Sequence, residues 1–318
     1  LSVLRARISR LPHPAGHQTS VRNEKGGCAP HAPFTFDYPT MKDDVEGNAE
    51  SIDPHGRLFL LYTHSMRRYV MLDKKIGQTP LEALNEWRAA HARYRDTPAS
   101  YAGRLDPMAS GKLLILLGDE CKRQDAYTGL DKEYEIEVLL DVGSDTGDIL
   151  GLVSGTEVET HPTRTEIQTA LAKELGTHPR PYPAYSSKTV HGKPLFLYAL
   201  EGTLGTIEIP VHDETIHRIR LLSIKQIEHD TLITRVVSLL ALAPTSDEPS
   251  KALGADFRIH DVRNSWAGLG FGPKTYTILK LRVTCGTGTY MRSLAERVGA
   301  TLGTRALALS IRRTKIFL

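Results

Sequence analysis

Two segments far apart in the chain alternate between apolar and polar residues. In Glu133 to Leu140 the apolar side chains occupy every second position, and three glutamates lie between them. Thr277 to Cys285 has the same period, with lysine, arginine and threonine at the polar positions. Because successive side chains of a strand point to opposite faces, both segments are predicted to be half-buried β-strands. The fold must therefore contain a sheet with an apolar face to cover.

Helices are predicted between such strands. Thr79-Pro80-Leu81-Glu82 and Thr163-Arg164-Thr165-Glu166 both have the capping-box pattern, in which threonine and glutamate side chains bind free backbone amides at a helix start. Apolar residues at helical spacing predict a third helix from Met291 to about Gly299. Several strands are separated by turns rather than by regular helical crossovers, which favours an α+β fold over a doubly wound sheet.

The first 65 residues differ in composition from the rest. They contain five of the 13 histidines, many prolines and glycines, and little hydrophobic period, so 1–65 is predicted to be a mostly disordered extension of a folded region 66–318. Leu1 to Arg22 carries four arginines and no acidic residue, a pattern similar to an organellar transit peptide. A cytoplasmic location is expected, with an organelle as the alternative. No apolar run reaches the 18 residues of a membrane span.

Charge and cysteine content say little about partners. The net charge of +3 is too small to indicate nucleic acid. Between Gly286 and Leu318, six basic side chains accompany one acidic one, which fits phosphate contacts and a solvated face equally well. Cys28, Cys121 and Cys285 match neither zinc-ligand spacing nor a disulfide framework, so they are predicted to be reduced thiols.

The stretch from Gly103 to Gly111, with the sequence GRLDPMASG, is the most informative part of the chain. Proline restricts the residue before it to an extended conformation, so Asp106 is predicted at a turn or at a helix N-cap. In the purely structural interpretation, Asp106 caps a helix whose first residue is Pro107. A turn would also expose the carboxylate for chemistry, so the two interpretations are compatible.

Tyr101 to Gly118 resembles the signature of the bacterial tRNA pseudouridine-55 synthase family, the TruB-like pseudouridine synthases. Further blocks follow in that family's order, so the resemblance covers roughly Arg67 to Leu318. They are Lys132-Glu133-Tyr134, Asp145-Thr146-Gly147-Asp148 with Gly151, Pro183 to Lys188 with Gly192-Lys193, Gly288 to Arg292, and Ile311 to Thr314.

The resemblance implies an α+β pseudouridine synthase fold, with a central, mostly antiparallel mixed sheet flanked by helices. It implies isomerisation of uridine 55 in the T-arm of tRNA, without a metal or cofactor. Asp106 would be the nucleophile, Tyr134 would stack on the flipped-out base and assist proton transfer, and Arg292 would hold Asp106 ionised and oriented. The substrate-binding residues implied are Tyr101, Arg104, Tyr185, Lys188, Tyr290 and Ile311.

These residues also have ordinary structural interpretations. Tyr134 can pack against the apolar neighbours on its own strand face, and Ile311 can belong to the core. Arg292 can form a surface pair with Glu296 one turn on. The basic and aromatic segment Pro183 to Lys193 suits RNA, where side chains stack on bases and neutralise phosphates, but it also suits a polar loop.

The chain departs from the family pattern at several points. Tyr101 stands where the family usually has histidine, and Arg104 is unusual beside the aspartate. The segment 228–276 is long for the family and is predicted to be an insertion with a solvent loop at 245–250. The chain ends soon after Arg313, so no C-terminal RNA-binding domain is expected.

A stand-alone enzyme is therefore expected, with tRNA as its partner and no obligatory protein partner or membrane contact. Two alternatives remain. The first is a pseudouridine synthase for another RNA uridine, and the second is an RNA-binding or tRNA-folding protein without turnover.

Overall fold

The computed structural model describes residues 47–52, 58–63, 67–156, 161–244, 258–269 and 275–318. All of them belong to one compact unit, Lys42–Leu318. Residues 1–46, most of the predicted extension, lie outside the described residues. Two strands within the same extension, Gly47–Ile52 and Leu58–Thr63, pair antiparallel. Phenylalanine, tyrosine and threonine in the second strand are residue types that favour β-structure.

Fourteen strands occur in the described residues. In chain order they are β1 (Gly47–Ile52), β2 (Leu58–Thr63), β3 (Tyr69–Lys74), β4 (Ala99–Ala102), β5 (Ala109–Leu117), β6 (Lys132–Leu140), β7 (Val142–Ser144), β8 (Val153–Gly155), β9 (Gly176–Pro181), β10 (Thr189–Val190), β11 (Lys193–Pro194), β12 (Val211–Glu228), β13 (Thr275–Cys285) and β14 (Ala306–Ile316).

Eight of these strands form one mixed sheet in the order β3-β5-β14-β6-β13-β12-β9, with β4 paired to β5. The β14–β5 pair is parallel, and the other pairs of this sheet are antiparallel. The two alternating segments of the sequence, β6 and β13, are direct neighbours near its centre. The predicted central, mostly antiparallel mixed sheet is therefore present, and the fold is α+β.

Seven α-helices lie in the described residues. They are α1 (Pro80–Ala90), α2 (Gln124–Thr128), α3 (Arg164–Ala172), α4 (Leu195–Leu200), α5 (His229–Leu240), α6 (Ile259–Ala267) and α7 (Met291–Thr301). Both capping boxes are formed, by Thr79 with Glu82 at α1 and by Thr163 with Glu166 at α3. Within the described ranges, no helix is both long enough and apolar enough to cross a membrane.

Helices cover both faces of the sheet. On one face, the apolar side chains of β6, from Tyr134 to Leu140, pack with buried residues of α3 and α7. On the other face, Leu139 packs with buried residues of α5 and α6. The glutamate side of β6 is thus partly covered, and Glu137 of β6 pairs with Arg235 of α5. Both α5 and α6 belong to the 228–276 segment, whose predicted solvent loop at 245–250 lies outside the described residues.

Candidate active site

Asp106 lies in the loop that joins β4 to β5. Its carbonyl oxygen accepts a hydrogen bond from the amide of Ala109 at 3.0 Å, which closes a turn through Pro107 and Met108. The turn interpretation is therefore correct, and the helix-cap interpretation is wrong. After the turn the chain enters β5, whose backbone pairs with neighbouring strands instead of forming a local helix.

Two buried cations hold this loop in place. Arg313 of β14 donates hydrogen bonds to the carbonyl oxygens of Lys112 at 2.6 Å and of Gly103 at 2.9 Å. Lys74 at the end of β3 donates to the carbonyl oxygen of Pro107 at 3.2 Å. Gly103 has a φ of +75°, which favours glycine, and an added Cβ there would lie 3.2 Å from the side chain of Lys132. The backbone on both sides of Asp106 is thereby fixed.

Arg292, near the start of α7, forms an ion pair with Asp106. Its Nε donates to Oδ2 of Asp106 at 2.8 Å, while its Nη1 and Nη2 donate to the carbonyl oxygens of Thr146 at 2.7 Å and Tyr185 at 3.0 Å. These bonds use all three guanidinium nitrogens, and none of them goes to Glu296. The side chain is buried. The pairing expected from the sequence is thus present, and it joins three separate segments.

Charge keeps this arginine protonated. Burial acts to lower the pKa of Arg292, but the neighbouring carboxylates of Asp106 and Asp148 outweigh that effect and raise it. Burial also raises the pKa of Asp148, whose carboxylate lies 3.9 Å from Nε of Arg292. The side chain of Asp148 is 10% exposed, whereas that of Asp106 is 44% exposed. Of the two carboxylates, Asp106 is the one open to a substrate.

A cleft of about 840 Å³ opens beside this pair, a volume suited to a small ligand such as a single nucleotide. Lys188 is not among its lining residues, and its Nζ lies 4.9 Å from the ring centroid of Tyr182. The other predicted site residues all line the cleft: Tyr101, Arg104, Asp106, Tyr134, Tyr185, Tyr290, Arg292 and Ile311.

Aromatic and apolar side chains form much of this lining. Tyr134 and Ile311 are both buried in the same core cluster, as in their structural interpretation, and both also line the cleft. Burial raises the pKa of Tyr134 and the pKa of Tyr290, which keeps both phenols neutral. At the exposed rim, Arg104 lies 5.9 Å from the ring centroid of Tyr101. Such a surface is suited to stacking on a base.

Comparison with known proteins identifies similar chains. The model of the TruB family pseudouridylate synthase (N terminal domain) matches residues 92–238. The tRNA pseudouridine synthase B of Aromatoleum aromaticum is 30% identical over 247 residues, which are 78% of this chain and 62% of the relative. The protein of the same name from Azoarcus sp. (strain BH72) is 30% identical over 250 residues, 78% of this chain and 64% of the relative. Over more than three quarters of its length, the chain is therefore similar to proteins of the TruB family.

The chain spans less than two thirds of the length of these TruB-family relatives. A solved structure, "Crystal Structure of a Cbf5-Nop10-Gar1 Complex", aligns with a TM-score of 0.49 at 16% identity, over 86% of this chain and 56% of that chain.

The TruB-family blocks of the sequence meet at one cleft. They lie on the β4–β5 loop with Asp106, on β6 with Tyr134, on the β7–β8 turn with Thr146, on the segment after β9 with Tyr185, and on α7 with Arg292. Long stretches of chain separate these blocks, and the sheet brings them together.

Sequence reasoning missed four residues at this site. Arg313 and Asp148 lay inside blocks that had been recognised, but no separate role was assigned to them. Lys74 supports the Asp106 loop by a hydrogen bond to a backbone carbonyl oxygen, a contact that only the structure shows. Arg258 lies in the 228–276 segment, outside every block, and it lines the same cleft. No periodicity or motif in the sequence singles it out.

Proposed function

We propose that this chain is a tRNA pseudouridine synthase that converts uridine 55 in the T-arm to pseudouridine, with Asp106 as the nucleophile. Three observations support the proposal: the match to the TruB family model, the names of the relatives, and the cleft geometry. The observation that carries it is the half-exposed carboxylate of Asp106, hydrogen-bonded at 2.8 Å to a buried arginine. A protein that only binds RNA has no need of an arginine buried to orient one reactive carboxylate.

The chemistry needs no external reactant. In the product, a bond joins ribose C1′ to uracil C5 in place of the bond to N1, C5 has lost its proton, and N1 carries one. The carboxylate of Asp106 bonds to C1′ as the C1′–N1 bond breaks, and the released uracil rotates. When C5 then bonds to C1′, the bond to Asp106 breaks and frees the carboxylate, C5 loses its proton, and N1 gains one. The guanidinium of Arg292 orients the carboxylate of Asp106 for attack, because its Nε donates a charge-assisted hydrogen bond to Oδ2.

The lining of the cleft fits the handling of a detached base. Tyr134 and Ile311 provide a flat apolar surface, and Tyr290 stands at the start of α7 beside Arg292. A neutral phenol at Tyr134 can donate or accept a hydrogen bond to the uracil as it turns. Extruding a paired uridine costs a few kcal/mol, which contacts between the protein and RNA must offset. We assign part of that role to Tyr101 and the exposed Arg104.

The test is conversion of an unmodified tRNA transcript. Pseudouridine is mapped by the primer-extension stop that follows carbodiimide treatment, and a single new stop at uridine 55 is expected. Asp106→Asn keeps the size of the side chain but removes its charge, so turnover should be lost while the transcript is still bound. Asp119→Asn is the matched control, because Asp119 is exposed and, among the residues that the structure describes, forms an ion pair with Lys122 only.

The outcomes separate the alternatives. A stop at a different uridine would assign the enzyme to another RNA position. Binding without any stop would leave an RNA-binding or tRNA-folding protein. Full turnover by Asp106→Asn would remove Asp106 from the mechanism, whichever uridine is modified.

A further inference from the structure

Arg258 has an unusual backbone at the point where the chain enters α6. Its φ is 52° and its ψ is 34°, the left-handed conformation that residues other than glycine rarely adopt. The surrounding structure must stabilise such a residue, and residues of this kind concentrate at functional sites. The side chain of Arg258 lines the same cleft as Asp106.

The guanidinium of Arg258 makes two kinds of contact there. Its Nη1 and Nη2 donate to the two carboxylate oxygens of Asp145 at 2.7 and 3.2 Å. Its Cζ lies 4.9 Å from the ring centroid of Tyr185, within reach of a cation–π interaction. The hydroxyl of Tyr185 donates to Oδ2 of Asp145 at 3.0 Å, which closes a triangle of three side chains.

This triangle joins the two segments that Arg292 also joins. Arg292 donates to the carbonyl oxygens of Thr146 and Tyr185. Arg258 binds the side chain of Asp145, next to Thr146, and the ring of Tyr185. Arg292 therefore holds the β7–β8 turn and the segment after β9 from the cleft interior, and Arg258 holds them from the rim.

We infer that Arg258 is a positioning residue, by which the 228–276 segment holds the acceptors of Arg292 in place and thereby orients Asp106. The inference rests on the proposed function for its activity readout. A direct role in RNA binding is the competing interpretation. Positioning is favoured because the side chain is only 21% exposed and its two terminal nitrogens are already bound to Asp145.

The test compares three variants in single-turnover conversion of the tRNA transcript and in transcript binding. Arg258→Ala should lower the rate of conversion by roughly 10- to 100-fold, because a misplacement of about 1 Å at the reacting groups is enough for such a loss. The dissociation constant for the transcript should stay unchanged. Arg258→Lys should recover only part of the rate, since an ammonium cannot bind both carboxylate oxygens and stack on a ring. Arg263→Ala, in the same helix but outside the cleft lining, should behave as wild type.

Hydrogen–deuterium exchange of the free protein provides a readout that does not need activity. Arg258→Ala should speed exchange in the residues around Thr146 and Tyr185, and Arg263→Ala should not. A larger dissociation constant for the transcript with an unchanged rate of conversion would overturn the inference in favour of direct RNA binding. Unchanged hydrogen–deuterium exchange would also overturn it. If the wild type modifies no uridine but the exchange difference appears, the proposed function fails and the positioning role stands.

Discussion

Arg292 and Arg258 hold the same two segments but differ in origin and surroundings. Arg292 comes from α7, which packs on the core of the sheet, and it is buried against Asp106 and two backbone carbonyls. Arg258 comes from the 228–276 segment, is partly exposed, and acts on side chains. The comparison shows that a family cleft can be supported by residues outside the family blocks, because positioning depends on contacts and not on the origin of the residue.

The two arginines also rely on different cores. Trp266 of α6 is buried, and its indole N–H donates to the carbonyl oxygen of Ile149 at 3.1 Å. Ser265, also of α6, accepts from the amide of Val153 at 3.2 Å. These contacts dock α6 onto the β7–β8 turn and the start of β8. The position of Arg258 depends on that docking, whereas the helix that bears Arg292 packs in the other core cluster.

Removing the side chain of Trp266, which docks α6, should give the largest effect on stability. Trp266→Ala should lower the free energy of unfolding by about 3–5 kcal/mol, as for other large buried side chains. Because Arg258 directly precedes α6, Trp266→Ala should also reproduce the activity loss of Arg258→Ala. Chemical denaturation and single-turnover rates check both expectations. Val237→Ala, at an exposed position of α5, should stay within about 0.5 kcal/mol of wild type and keep full activity.

Replacing Arg292 should impair catalysis more than replacing Arg258. Arg292→Lys keeps the charge but cannot reach Asp106, Thr146 and Tyr185 together, so the single-turnover rate should fall by roughly 100-fold. Arg297→Lys makes the same change on the same helix, where Arg297 pairs with Glu174 and Glu214. If both variants lose activity equally, the special role of Arg292 is refuted.

A double-mutant cycle should show that the outer contact acts as one unit. Asp145→Asn removes the charge that Arg258 binds. The rate of conversion should therefore fall by roughly 10- to 100-fold, as for Arg258→Ala. The double variant should lose no more than the worse single variant, because both changes remove the same interaction. Strictly additive losses would mean that the two residues act independently.

The smallest predicted effect concerns pH. Burial lowers the pKa of Lys132, beside the Asp106 loop, from 10.5 to about 8. Between these values the unfolded chain binds more protons at this residue than the folded one, so its contribution to stability rises with pH. The free energy of unfolding of wild type should therefore rise relative to Lys132→Met between pH 8 and pH 10, by at most about 1.4 kcal/mol per pH unit. A constant difference would contradict the lowered pKa.

Arg292 contrasts with this lysine. The carboxylates beside it raise the pKa of Arg292 and keep it charged, while burial without a paired carboxylate lowers the pKa of Lys132. Arg292 should therefore stay protonated over the pH range in which Lys132 titrates.

Local features of the fold were readable from short windows of sequence. The capping boxes at Thr79 and Thr163 involve partners three residues away, and the alternation in β6 and β13 follows from the geometry of one strand. The constraint that Pro107 imposes on its neighbour indicated a turn or a helix N-cap at Asp106, and the structure decided for the turn. The ordered blocks then led to the family and to most of the cleft residues.

Tertiary structure decided everything that depends on distant pairing. Asp106 and Arg292 are 186 residues apart and meet only because α7 packs on the sheet whose β4–β5 loop carries the aspartate. The parallel pairing of β14 with β5, the docking of α6, and the place of Arg258 at the cleft have no local signal either. A short window of sequence determines local backbone structure. The partners of a side chain are set by strand order and packing, which no short window of sequence contains.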